Sequence, residues 1–127
     1  MTTEVQVLQA ADRLFTAITQ GDVEAVAALW SEDVTVWHTG DERDSGKARA
    51  LKVIRWYVGA TTYRHYEVLD RQVFDGGFVQ QHILHCTSVG GENVALRVCL
   101  VVKIGDDGLI RRIDEYLDPA DLAPLLS

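Results

Sequence analysis

Apolar residues early in the chain recur at Val7, Leu8, Ala11, Leu14, Phe15 and Ile18, the spacing of a helix with one buried stripe. Gly21 stops that pattern. Asp22 is a good N-cap for a second helix, with Glu24 favourable in its first turn and Val23, Val26, Ala27 and Trp30 on one face. Asp33 to Trp37 reads as a short strand. A polar loop from Thr39 to Gly46 follows, and then Ala50, Leu51, Ile54, Tyr57 and Val58 predict a third helix ending at Gly59.

The second half has a different rhythm. Three turn signals, FDGGF at Phe74 to Phe78, VGGEN at Val89 to Asn93 and GDDG at Gly105 to Gly108, divide it into four strand-length runs rich in β-branched residues. This predicts an antiparallel meander. The run VALRVCLVVKI from Val94 is apolar on both parities, so that strand is expected to be covered on both faces, by the helices and by a second subunit. Asp118-Pro119 ends the last strand, and Ala120 to Leu126 is expected to close the chain with a short helix. Helix, helix, strand, helix and meander make an α+β order: a cone-shaped curved antiparallel sheet wrapped around a long N-terminal helix, with two further helices and a cavity at the open end.

Length changes this picture little, since 127 residues is about one domain, here taken as 1–127. No apolar run reaches the ~18 residues of a membrane span, and the N-terminus lacks a signal-peptide layout, so a cytoplasmic protein is expected. A net charge of −7 argues against nucleic acid or an anionic membrane as partner. The basic residues Arg43, Lys47, Arg49, Lys52 and Arg55 are interleaved with Asp41, Glu42 and Asp44, as on a solvated face. Cys86 and Cys99 are expected to be free thiols.

The candidate chemistry centres on histidine. In DVTVWHTGD, His38 stands where strand becomes loop, and alternation turns Trp37 away from it. His82 and His85 fall on opposite faces of their strand, which excludes them as a joint metal pair. Nothing in the spacing of His38, His82 and Glu115 forces them onto one ion, so neither metal nor cofactor is expected.

The phrases GDVEAVAALWSEDVTVWHTGD, SGKARALKVIRWY and VVKIGDDGLIRRIDEYLDPADL resemble the second-helix signature, third helix and final hairpin of the nuclear transport factor 2-like superfamily. Within it they resemble the SnoaL-like branch, related to ketosteroid isomerases and polyketide cyclases. The resemblance implies the cone fold over almost the whole chain. It also places His38 where isomerases of this fold hold their general base, while their two oxyanion donors correspond to Leu14 and to Leu100 or Cys99. The positions at which limonene-epoxide-hydrolase-like members hold a water correspond to His82, Leu84 and Glu115. On this alignment Gln80, His82, Leu84 and Cys86 face the cavity.

The resemblance therefore implies a small-molecule enzyme using general acid–base chemistry (an isomerase, cyclase or dehydratase) on an apolar ligand. His38 would be the base, and His82 with Glu115 the acid or water-orienting pair. Trp56, Tyr57, Leu14, Leu84 and Leu100 would form the walls. Scytalone-dehydratase-like relatives also use histidines in this cone. The competing expectation is a binding module that captures an apolar ligand or a protein partner without turnover. In either case a homodimer through the outer sheet face is expected.

Overall fold

In the computed structural model, which describes residues 2–126, helix α1 (Glu4–Thr19) opens on a reciprocal cap. The Thr3 hydroxyl accepts from the Gln6 backbone N–H, and the Gln6 side chain accepts from the Thr3 N–H. Of the predicted stripe, Val7, Ala11, Leu14, Phe15 and Ile18 are buried and Leu8 is half-buried. Asp22 caps α2 (Val23–Leu29) through the Ala25 N–H. Strand β1 (Trp30–His38) starts three residues before the predicted strand, so Trp30 belongs to the sheet and not to α2. There its buried ring joins the core and its backbone pairs with Ile110.

Helix α3 (Lys47–Ala60) is followed by β2 (Thr61–Phe74), β3 (Gly77–Ser88), β4 (Asn93–Ile104) and β5 (Ile110–Tyr116). A 3₁₀ turn (Pro119–Leu122) and a one-turn helix α4 (Ala123–Leu126) finish the chain. The sheet order is β1-β5-β4-β3-β2, and β2 through β5 form the expected antiparallel meander. The first strand departs from that expectation. It pairs with β5 in parallel, so the sheet is mixed; no hairpin joins the two strands, and turn signals therefore left their relative direction open. At the FDGGF turn Gly76 has φ +86°, and a Cβ on Gly77 would lie 2.1 Å from the Val102 carbonyl oxygen, so the hairpin needs both glycines.

Alternate residues of the curved sheet point inward onto α1. Phe78, Leu100, Val102, Ile110 and Ile113 pack with the α1 stripe, and a second cluster of Leu84, Cys86, Val94, Leu96 and Val98 meets Leu125 of α4. On β4 the outward positions Ala95, Arg97 and Lys103 are exposed and Cys99 and Val101 half-buried, so within one chain this strand is covered on its inner face only. Both cysteines are free, on opposite faces.

One side chain ties the helices to the sheet. Arg64 on β2 donates to the Ile18 and Thr19 carbonyls at the end of α1 and to the Val58 carbonyl and the Thr61 hydroxyl at the end of α3. A cation at two helix C-termini adds a charged donor to carbonyls of the last turns, those of Ile18 and Val58 also accepting from the Gly21 and Thr61 backbone N–H groups. Arg64→Met is expected to lower the unfolding free energy by about 2 kcal/mol in urea titrations. A loss within ~0.5 kcal/mol would mean that water replaces these bonds at no cost.

Candidate functional site

The open end of the cone holds a cavity of about 330 Å³ whose lining is mainly apolar. Leu14, Phe15, Leu84, Leu96, Leu100 and Tyr57 supply walls, and His38, His82, Glu115 and Tyr66 supply the polar atoms. The residues expected as acid, base or wall therefore meet around one space except Trp56, and of the β3 positions expected to face the cavity His82 and Leu84 line it while Gln80 and Cys86 do not. Trp56 is 42% exposed and not among the lining, because the helical turn places it about 100° from Tyr57, and Tyr57 takes the inward position. Tyr66, Asp41 and Phe15 also line the cavity and are not among the site residues expected from the sequence.

Why an imidazole stands at the strand end is answered by the turn after it. The Asp41 carboxylate accepts the His38 backbone N–H at 2.9 Å and lies 3.2 Å from His38 Nδ1. Trp37 Nε1 donates to the Asp41 carbonyl, fastening the loop on the other face, where the indole packs on Tyr116. An ionised carboxylate only accepts, so Nδ1 carries a proton and Nε2 becomes the basic nitrogen of the neutral ring. His38 Nε2 lies 3.9 Å from Glu115 Oε1, and the parallel β1–β5 register sets the two residues side by side.

Burial pushes the Glu115 carboxyl above the ordinary carboxylate range, with His38 opposing and Asp41 reinforcing the shift. This corner can thus hold one proton between a carboxyl group and an imidazole.

Glu115 was expected to pair with His82; it pairs with His38. His82 sits on β3, two strand spacings from β5 or about 10 Å, and its Nδ1 is taken by Gln80 at 2.9 Å. Its ring lies edge-on to Phe15 and Tyr66, and burial, with the nearby Arg71 charge, lowers its pKa to about 4. His82 is therefore neutral near pH 7.

The Tyr57 hydroxyl is buried without a hydrogen-bond partner among the described residues. Burial, then the adjacent Tyr66, raises its pKa far beyond the usual phenol range; Tyr66 is raised by burial and then by Glu115. Both phenols remain donors at any ordinary pH.

Among the described residues no three His, Cys, Asp or Glu side chains converge as a metal site requires. A more open groove of about 590 Å³ on the outer surface is lined by residues including Asp33, Lys103, Asp107, Arg111 and Arg112. Its Arg112 is engaged by Asp44 and Asp114, and none of the candidate residues reaches it. No described helix is long and apolar enough to cross a membrane.

The same architecture recurs in solved structures. PrhC from Penicillium brasilianum superposes with a TM-score of 0.83 at 17% identity, over 95% of this chain and 85% of that one. An epoxide hydrolase of Mycobacterium tuberculosis resembling limonene epoxide hydrolase gives 0.78 at 19% identity, over 96% and 90%. Another M. tuberculosis protein, Rv0760c, whose structure holds estradiol-17β-hemisuccinate, gives 0.77 at 17% identity, over 89% and 94%. At such identities the likeness speaks for the fold. No curated protein is significantly similar in sequence. The family pattern described as "SnoaL-like domain" matches residues 11–113, from within α1 into β5, and on that match the chain belongs to the SnoaL-like domain family.

Proposed function

We propose that this protein is a cofactor-independent enzyme that performs general acid–base chemistry on an apolar small molecule held in the cone cavity, as an isomerase, cyclase or dehydratase. The observation that carries this reading is the polar corner of an otherwise apolar space. His38 Nε2 faces the buried Glu115 at 3.9 Å, and Asp41 behind the ring fixes which nitrogen is basic. A base and a carboxyl group whose pKa is raised, side by side, are what proton removal at one atom and return at another require. His38 removes the proton at one atom of the substrate, the Glu115 carboxyl gives its own proton to the substrate at another, and the imidazolium then returns a proton to the Glu115 carboxylate. Tyr57 and Tyr66 offer hydroxyl donors, and Leu14, Leu84 and Leu100 hold the apolar body.

The ligand is an apolar compound of ring-system size, in keeping with the steroid ester bound by the M. tuberculosis neighbour. The test is to incubate the protein with apolar ketones, epoxides and hydroxy compounds, follow conversion by mass spectrometry and NMR, and repeat with His38→Ala. Conversion lost in the variant supports the enzyme. Binding without conversion, unchanged in the variant, establishes instead the module that captures its ligand without turnover.

The outer sheet face supports a second proposal. Tyr63 and Tyr116 are exposed there, with Ile83, Cys99 and Val101 half-buried between them, an apolar strip across the solvent side of the sheet. A homodimer through this face is expected, with sedimentation giving twice the 14.1 kDa chain mass and Val101→Glu giving the single chain. A monomer at micromolar concentration would contradict it.

A further inference from the structure

Behind His82 a line of polar side chains runs from the cavity to the surface, and none of it serves the His38 corner. The Asp12 carboxylate accepts from Arg71 Nη1 at 2.9 Å, and Arg71 Nε donates to Gln80 Oε1 at 2.7 Å. The amide nitrogen of Gln80 then lies 2.9 Å from His82 Nδ1. Gln80 and His82 are 0% and 2% exposed, so no bulk water competes for these bonds.

Arg71 reaches this line because β2 is bulged between Val68 and Asp70. Strict alternation from the inward Tyr66 would put residue 71 outside; the extra residue reverses parity, so Arg71 pairs directly with Gln80. Its guanidinium also sits 5.9 Å from the ring centres of Phe15 and Phe78, which hold it in place.

The donor and acceptor sense of the line follows from one fact: a guanidinium has no acceptor. Gln80 must therefore present its oxygen to Arg71 and its NH₂ to His82. Nδ1 of His82 must then be the bare, accepting nitrogen, and the ring proton of the neutral imidazole sits on Nε2. That nitrogen has no hydrogen-bond partner among the described residues, and the ring lines the cavity.

We infer that Asp12, Arg71 and Gln80 are positioning residues that lock His82 as the Nε2–H tautomer, so that it acts as a fixed hydrogen-bond donor that selects ligands carrying an acceptor oxygen, such as a carbonyl or ether. His82 is then no base; proton removal belongs to His38 alone. The charged and titratable groups around it are Arg71 and Tyr66 on β2, Tyr57 on α3, Glu115 on β5 and His38 on β1, with Asp12 on α1 behind Arg71. The ligand half of the inference rests on the cavity being the binding site proposed above; the tautomer does not.

The tautomer is read directly by long-range ¹H–¹⁵N NMR on ring-labelled histidine in the ligand-free protein, with His82 assigned by the signal lost in His82→Asn. The expected pattern is a protonated Nε2 and a bare Nδ1, unchanged from about pH 5.5 to 8. Arg71→Lys keeps a donor and should keep the pattern. Arg71→Met lets Gln80 turn over and should give mixed tautomers. Gln80→Glu should move the proton to Nδ1 and also serves if Arg71→Met does not fold. A wild-type Nδ1–H pattern, or one indifferent to Gln80→Glu, overturns the relay.

The ligand half is tested with camphor and bornane, which share a skeleton and differ by a carbonyl. Camphor should bind at least about tenfold more tightly, and His82→Phe should lose most of that preference while Tyr57→Phe keeps it. Equal binding overturns the donor role. Binding of neither overturns the ligand half together with the cavity reading, while the spectrum still decides the relay.

Discussion

His38→Ala is expected to reduce kcat/KM by about 10²- to 10⁴-fold, the usual worth of a positioned general base, while leaving the fold intact. The stability cost should stay at or below about 1 kcal/mol, because the ring is 27% exposed and its side chain makes one hydrogen bond, to Asp41. The turn survives without it: the Asp41 carboxylate still accepts the backbone N–H of residue 38, and the Asp41 N–H still donates to the carbonyl of residue 38. Glu115→Gln separates the two halves of the corner. It keeps the shape but removes the exchangeable proton, so it should lower turnover while leaving ligand affinity within a few-fold. Turnover unchanged in His38→Ala would remove the acid–base reading. A large fall in stability would mean that the histidine serves the turn first. Measuring denaturation, affinity and rate on one preparation keeps these outcomes apart.

The order of helices and strands was legible because it is written locally, in the apolar stripe of α1, the Asp22 cap and the three glycine turns. The parallel pairing of β1 with β5 was not, since nothing near Trp30 or Ile110 encodes a contact eighty residues away. For the candidate site, His38 and Glu115 could each be found from their places in the family pattern, whereas their pairing with one another could not. Glu115 lies beside His38 through that same long-range pairing, and His82 is separated from Glu115 by the intervening β4. Trp56 and Tyr57 are adjacent on α3, and only packing decides which of them turns inward. Asp41 had a readable signal, a carboxylate three residues beyond the histidine across a glycine turn. Arg71 had none, because a bulge moves it to the face that strict alternation denies it.

Acid should destabilise the protein through His82, and the sign follows from which form the fold admits. In the unfolded chain this histidine takes up its proton near pH 6.5, whereas in the fold burial and Arg71 hold it neutral down to about pH 4. Its contribution to stability is therefore fully present above pH ~6.5 and is lost as pH falls from there through about 4, a total of about 3 kcal/mol. Glu115 works in the opposite direction, because its raised pKa makes the fold bind that proton more tightly than the unfolded chain does, so it recovers some stability in acid. A variant separates the two. His82→Asn leaves an oxygen able to accept from Gln80 and removes the titration, at a packing cost that is the same at every pH. Urea denaturation at a series of pH values should give curves for wild type and His82→Asn that run parallel above pH ~7 and converge by about 3 kcal/mol between pH ~6.5 and ~4. Curves that stay parallel throughout would mean that His82 is hydrated well enough to charge inside the fold, and water would then replace Gln80 as the partner of its Nδ1.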